Sequence, residues 1–177
     1  DFTNVDAITG TSAVNDAIFT LDADATWELD GTDRYISTNA LAFTGLEILN
    51  GMGGADTFVV TGNRAYHILR GGAGNDRVTF SSNSSLVFST VGAVIGYADG
   101  QNGTDTIDYS LFTASETVLV NLPAEQATGF HNGNPGYVGA AINFENGIGG
   151  ASADTFIGTT GDNVFDGGGG NDTYIFD

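Results

Sequence analysis

The sequence predicts an all-β fold of short strands joined by glycine-rich turns, and three observations lead there. Nine-residue units opening on glycine recur along the chain. Glycine supplies 27 of 177 residues against only two prolines, Pro123 and Pro135, and Asn and Thr are abundant, which marks a turn-rich chain. The runs at 57–60 and 117–122 alternate with the two-residue period of half-buried strands, while helix-period patterning is scarce.

Three nine-residue units abut near the C-terminus, at 149–157, 158–166 and 167–175. Three isolated units fit the same frame, at 51–59, 71–79 and 100–108. All six begin with glycine; five carry glycine at position four, with Ser152 the exception. Position six holds Asp56, Asp76, Asp105, Asp154 and Asp172, with Asn163 in the remaining unit. Position eight is always large and apolar: Phe58, Val78, Ile107, Phe156, Phe165 and Tyr174. A longer repeat overlies the first, because Glu47 and Glu145 each stand nine residues before the aspartate of a unit, Asp56 and Asp154. Residues 2–6 lead into 10–16 in a similar way.

This is the pattern G-G-x-G-x-D-x-U-x. Residues 71–76 and 167–172 match it in full, and at these positions the chain resembles the RTX family of secreted bacterial proteins. The stretches between units resemble the spacers of large, tandemly repeated bacterial surface proteins. The resemblance implies a right-handed parallel β-roll or β-helix solenoid, interrupted by longer spacers, with calcium on its edges. In each unit the first six residues form a turn and the last three a short strand whose position-eight side chain points inward. Glycines let the turn aim main-chain oxygens at one point, and the aspartate adds a carboxylate. Hard oxygen ligands of this kind suit Ca²⁺. The expected ligand set is Asp56, Asp76, Asp105, Asp154 and Asp172, with the turn residues Gly51, Gly53, Gly71, Gly74, Gly149, Gly167 and Gly169. Asn163, which lacks a charge, is expected to bind weakly or not at all.

Two units make one coil, so turns 18 residues apart stack on one edge. Asp154 and Asp172 have that spacing, and Asp56 and Asp76 are two residues longer. Asp105 lies 29 residues beyond Asp76, which leaves its partner open. The whole chain, 1–177, reads as one solenoid unit: a first segment over 1–80, a spacer segment over 81–148 and contiguous repeats over 149–177.

Composition excludes several classes. Four arginines and no lysine stand against 17 Asp and 5 Glu, for a formal charge of −18. Such a chain cannot neutralise a phosphate backbone, so nucleic acid is not a partner. No apolar run approaches the length of a membrane-spanning helix, and membrane insertion is not expected. Absent cysteine removes disulfides and thiolate metal sites. Apolar residues at 41 %, including 12 Phe and 6 Tyr, supply a core. The start at Asp1 suggests a processed product or an excised fragment.

Other candidates have simpler readings. Asp22, Asp24 and Thr26 hint at an EF-hand loop, but Trp27 stands where that loop needs glycine. A solvated turn at Asp30-Gly31 with Trp27 in the core is preferred. His67 and His131 read as edge or loop residues, and the loop around His131 with Tyr137 is the best guess for a ligand contact. Glu47 and Glu145 either extend the cation sites or cap a neighbouring edge by bonding backbone; capping is preferred. Arg34, Arg64, Arg70 and Arg77 are expected to pair with carboxylates. Thr57, Thr106, Thr155 and Thr173 share position seven, where outward-facing β-propensity explains them. No catalytic signature is present, so no enzyme activity is expected.

The function expected is a calcium-stabilised structural module of an extracellular bacterial surface, adhesive or filament-forming protein. Secretion would follow the type I route the resemblance implies, with continuation head to tail or by self-association. The alternative is a polysaccharide-binding or accessory module of a secreted enzyme.

Overall fold

A computed structural model describes residues 5–11, 15–66, 68–131 except 89–96, and 138–176. All regular structure among them is β, with no helix. Most of it lies in two nine-stranded sheets. In spatial order the first sheet runs β1 (Ala7–Thr9), β5 (Ala40–Thr44), β4 (Arg34–Ile36), β3 (Thr26–Leu29), β7 (Thr57–Val60), β10 (Arg77–Ser81), β13 (Thr106–Leu111), β18 (Asn146–Ile148) and β20 (Val164–Asp166). The second runs β2 (Ala17–Phe19), β6 (Ile48–Asn50), β9 (Ile68–Ala73), β12 (Tyr97–Asn102), β17 (Val138–Ile142), β15 (Gln126–Thr128), β14 (Leu119–Asn121), β19 (Thr155–Ile157) and β21 (Thr173–Ile175). A smaller sheet joins β16 (Phe130–His131), β11 (Ser85–Phe88) and β8 (Asn63–Tyr66).

The chain alternates between the two large sheets, and the glycine-rich turns make the crossings. Turns at 51–56, 71–76 and 100–105 lead from the second sheet to the first; turns at 149–154 and 167–172 lead back. This alternation makes pairing parallel from β3 through β7, β10, β13 and β18 to β20. The parallel expectation needs correction at two places. β3–β4–β5 and β14–β15–β17 are antiparallel excursions. The first turns at Asp30, whose Oδ1 accepts the Thr32 N–H at 2.8 Å, so a local hairpin forms there. No EF-hand loop exists at Asp22–Asp24: Asp22 bridges in parallel to Gly53, and Trp27 is fully buried in β3.

Position-eight side chains stack in register between the large sheets. Trp27, Phe58, Val78 and Ile107 occupy successive rungs, each at most 3 % exposed. Trp27 and Phe58 stack at 5.5 Å, and Phe156 stacks on Tyr174 at 5.6 Å. Such pairs add about 0.5–1.5 kcal/mol each beyond the area they bury. The inward rule weakens at the outermost strands β20 and β21, where Phe165 is only partly buried and Tyr174 is 43 % exposed. The 29 residues from Asp76 to Asp105 do not disturb this stack. They detour through β11 in the small sheet and return through β12 beside β9.

Candidate metal centre

The parallel register brings the position-six residues of the first turn edge into one column: Asp56, Asp76, Asp105, then Glu145 and Asn163. A repeated bond joins neighbouring rungs. The Asp56 N–H donates to Asp76 Oδ1 at 2.8 Å, and the Asp76 N–H to Asp105 Oδ1 at 2.7 Å. The Asp105 N–H then donates to Glu145 Oε2 at 2.7 Å. Asp105, whose partner the spacing left open, is therefore stacked directly on Asp76. On the opposite edge the Val118 N–H donates to Asp154 Oδ1 at 2.8 Å, and the Asp154 N–H to Asp172 Oδ1 at 3.0 Å.

Oδ1 of Asp76, Asp105, Asp154 and Asp172 thus serves the preceding coil, whereas Asp56 Oδ1 has no hydrogen-bond partner among the described residues; Oδ2 of each folds back over the first glycine of its own turn. A Cβ on Gly71 would lie 2.1 Å from Asp76 Oδ2. On Gly51 it would lie 2.2 Å from Asp56 Oδ2 and 2.3 Å from the Gly71 carbonyl oxygen. On Gly149 it would meet Asp154 Oδ2 at 2.4 Å and the Gly167 carbonyl oxygen at 2.5 Å. Position one must therefore be glycine to hold this cradle open. Position four is glycine for another reason: a Cβ on Gly74 would lie 1.8 Å from the Gly54 carbonyl oxygen, and Gly74 sits at φ 136°. Gly53 contributes a bridge between Asp22 and Ala73, and Gly169 donates its N–H to the Gly150 carbonyl at 2.8 Å.

Asp56, Asp76, Asp105 and Asp154 are each at most 3 % exposed. Oδ2 of Asp56, Asp76 and Asp105 has no hydrogen-bond partner among the described residues. Burial, reinforced by the charge of Asp76, pushes the Asp56 carboxyl up to about 7. Burial also pushes Asp105 up to about 7, with Asp76, Glu145 and Asp99 adding repulsion. Asp76 and Asp154 are raised from the same first cause. A buried carboxylate oxygen without a donor is strongly unfavourable unless a proton or a cation meets it.

These residues fit a hard divalent cation. Each cradle offers a carboxylate oxygen beside main-chain carbonyl oxygens, a donor set suited to Ca²⁺. No group of three or more His, Asp or Glu side chains among the described residues converges to hold a metal, so main-chain carbonyls and water would supply the remaining oxygens.

Not every expected residue joins a cradle. Asn163 stands in the column, but its amide is satisfied by protein: Nδ2 donates to the Glu145 carbonyl at 3.0 Å, and Oδ1 accepts the Thr159 N–H at 2.7 Å. Glu145 belongs to the column of Asp105 and not to the edge of Asp154, nine residues later. The signal that could have placed it is the apolar-Glu pair, Leu46-Glu47 and Phe144-Glu145, just before a strand. Both glutamates accept a backbone N–H from the previous coil, Glu47 Oε2 from Asp16 at 3.0 Å.

Arginine pairing holds for Arg34 with Glu28 and for Arg77 with Asp108, but not for Arg70. Arg70 bonds Asn50 Oδ1 at 3.2 Å and the Tyr97 hydroxyl at 3.0 Å, while Asp99, its register partner on β12, accepts the Gln101 N–H and the Asn143 amide instead. The threonines of position seven divide between the two sheets and form no single array. His67, residues 132–137 and the side chains of Arg64 and His131 lie outside the described residues.

No helix is long and apolar enough to cross a membrane among the described residues. No curated protein and no solved structure matches the chain. Comparison with protein families matches the RTX calcium-binding nonapeptide repeat, in four copies, to residues 68–82 and 148–177, about a quarter of the chain. Both stretches contain turns whose aspartates stack as described above, and the chain carries the RTX calcium-binding nonapeptide repeat within an all-β fold of two parallel-rich sheets.

Proposed function

We propose that the chain is a calcium-stabilised structural module of an extracellular bacterial surface or adhesive protein, folding as calcium becomes available outside the cell. One observation carries this reading: three successive buried aspartates, Asp56, Asp76 and Asp105, each keep an oxygen that no donor among the described residues satisfies. Asp56, Asp76 and Asp105 would hold cations on one edge with the carbonyls of their turns, and Asp154 and Asp172 on the other. Bound there, calcium supplies the positive charge that the chain lacks at these turns. The aspartates themselves hold the coils in register through their bonds to the preceding backbone. Where a site forms only on folding, its binding free energy adds to folding free energy.

A structural role is supported by the aspartates of the glycine turns, whose carboxylates bond the backbone of the neighbouring coil. Self-association is supported by the outermost strands β20 and β21, whose inward residues are less covered than those of the inner rungs: Phe165 is only partly buried and Tyr174 is 43 % exposed. The test is a calcium titration of the EDTA-treated chain followed by far-UV circular dichroism, with magnesium as control. A calcium-specific rise in β signal or thermal stability is expected. An unchanged spectrum and melting temperature, with no calcium uptake, would overturn the reading.

A further inference from the structure

We propose that the turn over 100–105 and the glutamate-bearing turn at 143–145 form a calcium site of their own, with Asp105 Oδ2, the Asn143 carbonyl and the Glu145 carboxylate as ligands. The site lies outside the residues matched by the repeat family and rests on the calcium reading above. It would join ligands 40 residues apart, across the excursion that contains β14, β15 and β17.

The cradle geometry is that of the regular repeats. A Cβ on Gly100 would lie 2.3 Å from the Asn143 carbonyl oxygen and 2.4 Å from Asp105 Oδ2. The same pairing of carboxylate and next-coil carbonyl surrounds Gly51 and Gly149. Asn143 is no glycine, yet it adopts the left-handed conformation at φ 55°, which asparagine tolerates better than most residues. Its side chain is tied down, because Nδ2 donates to Asp99 Oδ1 at 2.8 Å. The carbonyl is thereby held where a regular repeat would place that of its first glycine. Asp105 is fully buried, and its Oδ2 has no partner among the described residues. Glu145 Oε2 takes the N–H of Asp105, the place that an aspartate Oδ1 takes at the other rungs.

Glu47 provides the internal contrast. It accepts the Asp16 N–H in the same way, at 3.0 Å. Asp16 Oδ2, however, already accepts the Thr11 hydroxyl at 2.8 Å, and Asp16 is only partly buried. A cation is required at the Asp105 turn and not at the Asp16 turn.

The deciding substitution is Glu145→Gln, which keeps an acceptor for the Asp105 N–H and removes the charge. Calcium bound per chain, counted by equilibrium dialysis of the full chain, should fall by one ion, with the other ions retained. Hydrogen exchange over 138–148 should also lose its calcium-dependent protection. Gly100→Ala, which puts a methyl group in the cradle, should remove the same ion, and Glu47→Gln should remove none. If Glu145→Gln binds as many ions as the parent with the same affinity, the proposal fails while the general calcium reading stands. If the parent binds no calcium, both fail. Should Gly100→Ala not fold, the isosteric Glu145→Gln still decides.

Discussion

Asp76, in the turn just before β10, and Asp108, on the neighbouring strand β13, are buried carboxylates that the protein treats in opposite ways. Asp108, 2 % exposed, accepts the Arg77 guanidinium at 2.6 and 3.0 Å, the Thr79 hydroxyl at 3.2 Å and the Ser110 N–H at 2.8 Å. Burial alone would raise it, but these donors hold it below the usual carboxylate range. Glu116 is served similarly by Ser82, Asn83 and Thr113 and is held down to about 2 despite some burial. Asp76 is 3 % exposed, has one oxygen unserved and is raised. Where the chain needs a permanent joint it supplies the countercharge or donors itself. At the turns of Asp56, Asp76 and Asp105 no donor among the described residues meets Oδ2, and the proposed calcium would take that place.

The sharpest way to break this contrast is to remove one column residue. Asp76→Ala deletes a ligand oxygen and leaves the Asp56 N–H without its acceptor, so the calcium-loaded chain should lose about 3 kcal/mol in urea unfolding. Asp76→Asn should act with opposite signs in the two states. It should reduce the stabilisation gained from calcium while raising calcium-free stability by about 1 kcal/mol, because a buried charge is gone and the acceptor kept. If Asp76→Asn weakens both states equally, the column is an ordinary hydrogen-bonded joint like that of Asp108.

Acidity tests the same difference without mutation. In the calcium-free fold Asp56 and Asp105 are raised to about 7 from an ordinary 3.8. The folded state then holds more protons than the unfolded one, so their contribution is complete below about 3.8 and is lost as pH rises through about 7. Melting temperature without calcium should therefore fall between pH 5 and pH 8. With saturating calcium the slope should reverse, since protons then compete with the ion. A calcium-independent slope would remove the distinction between the turns and the rest.

Asp108→Asn should cost about 1 kcal/mol whether or not calcium is present, because its donors belong to the chain and Arg77 remains half exposed. The smallest effect is expected at Gln101, which sits at φ 72° in the second position of its turn, where Gly72 and Gly168 stand in regular units. Gln101→Gly should stabilise the calcium-loaded chain by about 0.5 kcal/mol, relief of the left-handed strain being partly offset by glycine's entropy. Thermal melts would register it.

Most of the column was legible in the sequence because a nine-residue period carries its own register: Asp154 meets Asp172, and Asp56 meets Asp76, at the spacing of a coil. The partner of Asp105 was not legible. An insertion of any length that leaves and rejoins a sheet preserves the register, and counting residues cannot reveal that it does. That Glu145 bonds a neighbouring backbone was legible; that its partner is Asp105 was hidden for a related reason. Its turn lacks the glycines of the repeat, and only its stacking on Asp105 shows that a longer carboxylate reaches the same backbone N–H. The antiparallel excursions share local alternation with the parallel strands, so pattern alone could not set their direction.

The amino-acid sequence by itself determined the all-β class, the glycine turns, the inward column from Phe58 to Ile107 and the acidic residues of the turns, because each follows from local geometry and period. Tertiary structure alone decided which acids lie together, which have donors already, and that Asp105 completes its cradle with Asn143. Those outcomes depend on how distant coils align, and alignment is fixed by backbone pairing between strands that the sequence lists far apart.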